Sequence, residues 1–290
     1  MVKVSSSEKK ILIAGATGFI GSHLTHEFLK NGFKVIILKR SFDDTARIKD
    51  DLTAVKVYDT DKIELASVFN EQKIDIVINL VTNFGRGAAN KPSDIVETNI
   101  QYSLKLIEAA VNGKAQCFFN VDSALNPEIN LYAYTKRAFR EIIRKYFAEQ
   151  IKIMNLRLEQ VYGENDDLFK FIPMAVAKLK KNEALDMTVG EQKLDLIYIN
   201  DCVSALVFLV KNVDKYSDRF NFFEIGTGKT ILLKDFIQKI KEKLDSKSRI
   251  NFGAIEYRAE EQMFSKANLS AMKGWQAKYS FEEGIEQLTK

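Results

Sequence analysis

The chain has 290 residues, 46% hydrophobic and 28% charged, an ordinary globular balance that excludes general disorder. Its formal net charge of +4 is too small and too dispersed for a nucleic-acid-binding protein, although it suits a site for phosphorylated cofactors. Because no segment approaches the roughly 20 apolar residues of a membrane span, and the polar N-terminus lacks a signal sequence, we expect a soluble, cytoplasmic protein without a membrane partner.

Two cysteines, Cys117 and Cys202, lie far apart in the sequence and outside any CxxC or metal-ligand spacing. Cys117 falls in an apolar run, and Cys202 falls at the start of a predicted helix. Isolated cysteines in such positions are typically buried and reduced. We therefore expect two free thiols and no metal site.

Strand and helix signals alternate through the first half of the chain. Apolar and β-branched runs predict six strands, at residues 10–14, 34–38, 54–58, 74–81, 115–121 and 152–158. Helical spacing predicts helices at residues 22–31, 62–72, 92–112 and 132–150. Strands joined by helices form right-handed βαβ units, so the predicted fold class is α/β with a doubly wound parallel sheet of the Rossmann type.

Regularity weakens after Gly163. The pattern there predicts helices at residues 169–181, 201–211 and 232–244, and strands at residues 194–199 and 219–225. We interpret these segments as a smaller C-terminal α/β lobe that binds substrate. The predicted NAD(P)-binding domain is residues 1–163, with residues 194–211 packing back on it. The predicted substrate-binding lobe comprises residues 164–193 and 212–290.

A glycine loop, G-x-x-G-x-x-G, joins the first strand to the first helix. Glycine allows a sharp turn and a close backbone approach to a pyrophosphate, and the N-terminus of the helix offers free N–H groups. Glycines also serve ordinary turns, but the flanking strand and helix favour a cofactor site here. The predicted cofactor contacts in this loop are Gly15, Thr17, Gly18, Phe19, Ile20 and Gly21.

Basic residues end the second predicted strand. A carboxylate in this region would bind the adenosine ribose and favour NAD, but none occurs before Asp43. Arg40, with Lys39 and Ser41, can instead hold a 2′-phosphate, so NADPH is the expected cofactor and NAD the less favoured one. Alternatively, Lys39 and Arg40 are simply solvated at the strand end. Asp59, after the third strand, is a candidate adenine neighbour or a plain loop carboxylate.

A tyrosine and a lysine four residues apart open the helix after the fifth strand. Tyr132 and Lys136 therefore share a helix face, whereas Tyr134 lies on another. A nearby cation favours the phenolate of Tyr132, which exchanges a proton with a carbonyl or alcohol oxygen, and Lys136 can also hold the nicotinamide ribose. Ser123 is placed to fix the substrate oxygen, unless it is only a turn residue. The predicted catalytic residues are Ser123, Tyr132 and Lys136.

These motifs resemble the extended short-chain dehydrogenases, a family of nucleotide-sugar epimerases, dehydratases and reductases. The likeness runs from the Gly15 loop through Tyr132 and the segment 156–163 to Gly274-Trp275. The resemblance implies further cofactor contacts at Leu80, Thr82, Asn99 and Lys136. It implies substrate contacts at Thr82, Ser123, Arg157, Glu159, Lys193 and Arg258.

Within that family, the segments 120–123, 226–228 and 252–256 resemble reductases of CDP-4-keto-3,6-dideoxyglucose. This implies NADPH-dependent reduction of a C4 ketone on a nucleotide-linked deoxysugar, as in surface-polysaccharide (lipopolysaccharide O-antigen) biosynthesis, with a CDP-linked substrate favoured. It also implies a homodimer formed through the two long helices.

The sequence departs from the family pattern at two places. Ala124 and Leu125 follow Ser123 where related dehydratases carry Asp-Glu, so dehydration lacks its acid and base. Leu194 stands where the family commonly has an arginine for the diphosphate, which leaves Lys193 and Arg258 as candidates. An NAD-dependent nucleotide-sugar 4-epimerase is the alternative function. A non-catalytic NAD(P)-binding regulator is disfavoured because both Tyr132 and Lys136 are present.

Overall fold

The computed structural model describes residues 9–86 and 91–290. Its strands are β1 (Lys10–Ala14), β2 (Lys34–Lys39), β3 (Lys56–Asp59), β4 (Ile76–Asn79), β5 (Cys117–Ser123), β6 (Lys152–Leu158), β7 (Gln160–Tyr162), β8 (Leu185–Met187), β9 (Lys193–Leu194), β10 (Leu196–Tyr198), β11 (Phe220–Ile225), β12 (Ile231–Leu232) and β13 (Ile250–Phe252). Its α-helices are α1 (Phe19–Lys30), α2 (Leu65–Glu71), α3 (Pro92–Val96), α4 (Ser103–Asn112), α5 (Leu131–Tyr146), α6 (Phe171–Lys180), α7 (Ile199–Lys211), α8 (Leu233–Lys243) and α9 (Phe281–Thr289).

Seven strands form the main sheet in the order β11-β6-β5-β4-β1-β2-β3. Read from the other edge, the first six follow the doubly wound order of a dinucleotide-binding fold, which confirms the predicted fold class. The chain order reverses between β1 and β4, and both strands run parallel to their neighbours. In such sheets, ligands bind beyond the carboxyl ends of the strands at this point of reversal.

The central strands consist of apolar residues because helices cover both faces of a parallel sheet. Leu12 of β1 lies opposite Ile36 of β2 on one side and Val77 of β4 on the other. Residues 11–14 are completely buried. The continuous core fixes the register, and this register places the ends of β1, β4 and β5 beside one another.

β11 is the edge strand of this sheet. The sequence pattern predicts residues 219–225 as a strand of the smaller lobe. The expectation was wrong because pairing with β6, which only the folded chain reveals, adds the strand to the main sheet; Ile153 donates its N–H to the Arg219 carbonyl at 2.8 Å.

Residues 92–112 form the predicted long helix, but its middle is irregular. A π-helical turn, Glu97–Tyr102, separates α3 from α4. Such turns insert an extra residue into a helix and often occur at functional sites. Asn99, one of the predicted cofactor contacts, lies in this turn and is 2% exposed.

The described residues form two compact units. The first contains the chain up to Ser123, Asn130–Arg157 and Leu206–Phe223, and the second contains Ala124–Ile129, Leu158–Ala205 and Glu224–Lys290. The boundary therefore crosses α7, so that only the C-terminal half of this helix belongs with the main sheet. Residues 1–8 of the predicted nucleotide-binding domain lie outside the described residues.

The second unit contains three two-stranded sheets, β10-β7, β12-β9 and β13-β8. The buried Asp195 joins several of its segments: the carboxylate accepts hydrogen bonds from the Thr227 N–H and hydroxyl, the Gly228 N–H and the Ala267 N–H, at 2.7–3.2 Å. Because these donors come from two loops that are distant in sequence, the Asp195 carboxylate holds both loops together within this unit.

Both cysteines are buried and free, as predicted. Burial raises the pKa of Cys202 to about 12, and it also raises the pKa of Cys117. Within residues 9–86 and 91–290, no helix is both long and apolar enough to span a bilayer.

Candidate active site

The glycine loop turns tightly at the carboxyl end of β1. Gly15 has a φ of +88°, and a Cβ there would lie 2.9 Å from the Leu80 carbonyl carbon. A Cβ on Gly21 would overlap the Gly15 carbonyl oxygen. Gly18 donates its N–H to that same oxygen at 3.2 Å. The close packing of loop, helix and β4 therefore requires glycine at positions 15 and 21.

This loop fits the pyrophosphate of a dinucleotide. α1 begins at Phe19 directly after Gly18, which has no side chain to cap it, and its first turn carries no acidic residue. The start of a helix offers its N–H groups and the positive end of its dipole to an anion. Thr17 and Ile20 are partly exposed beside them, whereas the Phe19 side chain is buried.

The ends of β2 and β3 carry the predicted adenosine contacts. Arg40 is held by Asp43, with a 2.9 Å ion pair and a 3.0 Å bond from Nε. The Ser41 hydroxyl donates to Asp59 at 2.7 Å, and this bond lowers the pKa of Asp59. The Ser41 N–H donates to Asp61 at 2.8 Å. The structure therefore brings Arg40, Ser41 and Asp59 together, but it surrounds them with carboxylates that the sequence pattern had not assigned to this site.

Lys39 directs its ammonium to the Arg40 carbonyl oxygen, 2.7 Å away. Leu80 follows β4 and donates its N–H to Ala14 at 2.9 Å. Leu80 therefore contributes backbone to the wall of the glycine loop.

Tyr132 lies in the first turn of α5. Asn130 caps this helix by accepting the Ala133 N–H at 2.8 Å, and the Tyr132 ring packs on Phe84 with centroids 4.7 Å apart. Burial raises the pKa of Tyr132 to about 12; interactions of its hydroxyl with Ser123 and Thr82 oppose the rise. The structure thus gathers the tyrosine, Ser123 and Thr82 around one hydroxyl group.

Lys136 lies one turn further along α5 and is 6% exposed. Its ammonium donates to the Val121 carbonyl oxygen at 2.9 Å and to the Val81 carbonyl oxygen at 3.4 Å. Burial lowers the pKa of Lys136 to about 8, and the nearby Asp122 carboxylate opposes this shift. The lysine therefore bridges the ends of β4 and β5 on the helix face that carries Tyr132.

Asn99 connects the π-helical turn to α5. Its side chain accepts the Asn83 N–H at 2.7 Å, and it donates to the Asn83 carbonyl at 3.0 Å and to the Thr135 hydroxyl at 2.9 Å. These bonds occupy the amide of Asn99 and hold the loop after β4. Its predicted contact with the cofactor stays a prediction.

The predicted substrate residues fall into both units. Arg157, in the first, stacks on Phe222, with the guanidinium carbon 5.4 Å from the ring centroid. Glu159, Lys193 and Arg258 belong to the second unit, where Glu159 is buried and the other two are exposed.

Within the second unit, the segments carrying Lys193 and Arg258 are tied to each other. The Glu191 N–H donates to the Tyr257 hydroxyl at 2.9 Å. Leu194 is 3% exposed, so the position where an arginine is common faces the core in this chain. Lys193, its neighbour on β9, faces solvent and remains available to an anion.

Sequence reasoning did not identify a polar network beneath the site. Asp122, 3% exposed, accepts a hydrogen bond from Arg140 at 2.8 Å and from Asn155 at 3.2 Å. One signal was available: Arg140 stands four residues after Lys136 and eight after Tyr132, on the same helix face. Its partner on β5 could not be read from helix spacing.

The arrangement combines a proton-carrying phenol, a buried ammonium and a hydroxyl next to a nucleotide-binding loop. Such a set can transfer a proton to or from an oxygen while a bound cofactor carries out redox chemistry at the adjacent carbon. Among the described residues, no cluster of histidine, cysteine or carboxylate side chains is arranged to hold a metal ion.

Known proteins resemble this chain over nearly its whole length. The chain is 36% identical to CDP-abequose synthase from Salmonella muenchen, over 97% of each chain. It is 28% identical to dTDP-4-dehydro-6-deoxyglucose reductase from Escherichia coli, over 97% of this chain and 96% of that one. The solved structure of UDP-glucose 4-epimerase from Thermotoga maritima with UDP-glucose shares the fold, with a TM-score of 0.83 and 22% identity over 97% of each chain.

These relatives confirm the resemblance seen in the sequence. Residues 11–226 match the model of one family directly, and this match covers most of the chain. The protein therefore belongs to the NAD dependent epimerase/dehydratase family.

Proposed function

We propose that the protein is a nucleotide-sugar oxidoreductase that uses NADPH to reduce the C4 ketone of a nucleotide-linked 4-keto-deoxysugar. The observation that carries this proposal is the cluster of Tyr132, Ser123 and Lys136 beside the glycine loop. The similarity to CDP-abequose synthase and to a dTDP-sugar reductase supports a sugar nucleotide as the substrate. CDP is the favoured nucleotide.

In this mechanism the protein positions the ketone and delivers a proton. Ser123 and Thr82 orient the substrate oxygen toward Tyr132, and the tyrosine donates its phenolic proton as negative charge develops on that oxygen. Lys136 stabilises the resulting phenolate by its positive charge. The hydride would come from the nicotinamide of a cofactor held at the glycine loop.

Two features favour reduction over the related reactions of this family. Ala124 and Leu125 offer neither an acid nor a base for elimination of water. Arg40 supplies a guanidinium for a 2′-phosphate, which supports NADPH as a reductant that is exchanged at each turnover. We assign Lys193 and Arg258 to the diphosphate of the substrate because both are exposed cations on tied segments of the second unit.

The direct test is to incubate the purified protein with NADPH and CDP-4-keto-3,6-dideoxyglucose, and then with dTDP-, UDP- and GDP-linked 4-keto-6-deoxysugars. We expect NADPH consumption, followed at 340 nm, to be fastest with the CDP substrate. NMR of the product establishes the configuration at C4. No NADPH oxidation with any of these substrates would overturn the proposal.

A second candidate is an NAD-dependent nucleotide-sugar 4-epimerase. Asp43, Asp59 and Asp61 favour it, because carboxylates at the ends of β2 and β3 suit the free ribose hydroxyls of NAD. This function predicts that the purified protein retains NAD and interconverts C4 epimers without added cofactor.

We also propose that two copies associate through the long helices predicted at residues 92–112 and 132–150, as the family resemblance implies. Tyr134 and Tyr146 of α5 are exposed in the single chain and are available to such an interface. Light scattering of the purified protein at several concentrations tests this; a monomer mass throughout would contradict it.

A further inference from the structure

A buried carboxylate lies directly beneath the catalytic pair. Asp122 is the last residue but one of β5 and stands between two residues that serve the site. The carbonyl oxygen of Val121, before it, accepts the Lys136 ammonium, and Ser123, after it, interacts with the Tyr132 hydroxyl. Asp122 itself is 3% exposed, and no step of the proposed mechanism uses it.

Three donors hold the Asp122 carboxylate in place. One oxygen accepts Arg140 Nη1 at 2.8 Å and Asn155 Nδ2 at 3.2 Å, and the other accepts the Ser123 N–H at 2.8 Å. Asn155 is fixed in turn by Asn120, which donates to it at 2.7 Å. The carboxylate is therefore bound to β5, β6 and α5 at once, and its bond to Ser123 fixes the backbone that presents the serine hydroxyl.

Arg140 lies on the active-site face of α5. Its side chain is 16% exposed, and it also contacts Glu141 at 3.3 Å. Its guanidinium lies over the Phe222 ring at 5.8 Å, and that of Arg157 lies over the same ring at 5.4 Å. Arg140 thus pairs directly with Asp122, the Lys136 ammonium and the Tyr132 phenol lie within reach of its charge, and Arg157 of β6 shares the Phe222 ring with Arg140.

We propose that Asp122, which is hydrogen-bonded to Arg140 and Asn155, is a positioning residue. Its negative charge keeps Tyr132 and Lys136 in their protonated forms, and its bond to the Ser123 N–H holds Ser123 in place. This inference rests on the proposed reductase function. It assigns to Asp122 an electrostatic role that acts through Lys136 and Tyr132, without contact with the substrate.

The sign of the effect follows from the charge. A negative group favours the protonated form of any neighbour, and it does so for both the ammonium and the phenol. Reduction starts from this form, because Tyr132 must carry the proton that it donates. Desolvation lowers the pKa of Lys136, and the Asp122 carboxylate opposes this shift, so the carboxylate offsets part of the cost of burying the lysine.

A purely structural role is a weak explanation for this pair. Buried ion pairs contribute little to stability compared with well-packed apolar residues, since both charges are desolvated. A carboxylate placed next to the residues that hold Lys136 and Tyr132 has a clear electrostatic consequence instead.

The test compares Asp122→Asn with Glu141→Gln. Both changes remove one carboxylate in contact with Arg140, but only Asp122 is buried beside the catalytic pair. In the pH profile of kcat/KM for ketone reduction, we expect Asp122→Asn to shift the midpoint of the high-pH limb to a pH about one unit lower. Glu141→Gln is expected to leave this limb where it is. An unchanged limb in Asp122→Asn, or equal shifts in both variants, overturns the proposal.

Two further variants separate charge from folding. Asp122→Ser also removes the charge but is smaller, so it is expected to give the same shift and serves if Asp122→Asn does not fold. Asp122→Glu keeps the charge and is expected to keep the limb near the wild-type position. A shift in Asp122→Glu as large as that in Asp122→Ser contradicts an effect of charge.

A measurement without substrate distinguishes failure of this inference from failure of the proposed function. Ultraviolet titration of phenolate, taken as the difference between each protein and its own Tyr132→Phe counterpart, follows Tyr132 alone. We expect Asp122→Asn to ionise Tyr132 at lower pH than the wild type. If no keto sugar is reduced but this shift occurs, the proposed function fails and Asp122 retains its role; the absence of the shift refutes that role.

Discussion

Tyr132 and Lys136 illustrate how burial acts in opposite directions on an acid and a cation. Desolvation disfavours the charged form of each group, so the pKa of the tyrosine rises to about 12 and that of the lysine falls to about 8. Near neutral pH the phenol is therefore intact and the ammonium largely protonated. This is the protonation state from which a ketone receives a proton.

Replacement of Tyr132 by Phe removes the proton donor and retains the ring that packs on Phe84. We expect turnover to fall by about 100- to 10,000-fold, since general acid catalysis contributes about this much, while NADPH binding stays within a few fold. Steady-state kinetics and fluorescence titration of NADPH measure the two effects. The control is Tyr134→Phe, on the exposed side of α5, which is expected to retain activity.

The pH dependence of reduction is set by the same pair. The pKa of Lys136 is lowered to about 8, so the ammonium is present below this pH and is lost above it. We expect kcat/KM for reduction to decline as the pH rises past about 8. The two groups interact, so the observed midpoint belongs to the pair. A profile that is flat to pH 10 would exclude the ammonium from the reaction.

Arg40 gives a prediction about cofactor choice. Loss of its charge in Arg40→Ala removes the guanidinium proposed for the 2′-phosphate. We expect kcat/KM with NADPH to fall by roughly 10- to 100-fold, the equivalent of one hydrogen bond to a charged group, and the value with NADH to change little. Lys34→Ala, at the other end of β2, is the control. An unchanged preference between the two cofactors would contradict the assignment.

Among individual residues, the sequence predicted those site features that depend only on the spacing of neighbouring residues. The Tyr132/Lys136 pair follows from helix periodicity, and the Arg40–Ser41 segment follows from its position at a strand end. Asp122 and Arg140 are 18 residues apart and meet only because α5 packs against β5. The pairing of Arg40 with Asp43 is local, yet it weakens the inference drawn from the basic residues alone, since the arginine already has a carboxylate partner.

At the scale of elements, α1 depends on the contact between its first turn and the glycine loop. Gly21→Ala would force a methyl group into the Gly15 carbonyl. We expect a loss of about 1–3 kcal/mol in the free energy of unfolding, typical of overpacking, together with weaker NADPH binding. Gly18→Ala is the control for stability, because its Cβ would lie 3.4 Å from the same oxygen. Equal melting temperatures for the two variants would contradict this account.

The strands β1–β6 could be predicted because long apolar runs identify them without knowledge of their partners. β7, β8, β12 and β13 were not predicted, because strands of two or three residues exist only through their pairing in the folded chain. The single strand predicted at 194–199 overlaps two such short strands, β9 and β10. For the same reason, the strand at 219–225 was recognised while its place in the main sheet was missed. Tertiary pairing, and not local preference, decides these elements.

At the scale of the whole molecule, the two units differ in what they offer to a ligand. The first contains the glycine loop and the proposed catalytic residues, and the second contains the exposed cations Lys193 and Arg258. The predicted division into a cofactor domain and a substrate lobe assigns one ligand to each. The predicted boundaries differ from those of the units, which cross α7 and place residues 212–223 in the first unit.

Hydrogen exchange measured by mass spectrometry tests this division. Because a ligand protects the backbone that it orders, we expect NADPH to slow exchange at the start of α1 and CDP to slow exchange in residues 188–195 and 252–265. Protection of the second unit by NADPH alone, with no effect of CDP there, would reassign the substrate residues.

The π-helical turn at Glu97–Tyr102 also constrains which changes of length the chain tolerates. The π turn accommodates one extra residue, so removal of one residue from it would restore regular α geometry and displace the residues within the turn, Asn99 among them. Asn99 would then leave both Asn83 and Thr135, and the loop after β4 would lose its anchor. Point substitutions on the outer surface of this helix are therefore expected to be mild, whereas a single-codon deletion in the same stretch is expected to be inactivating.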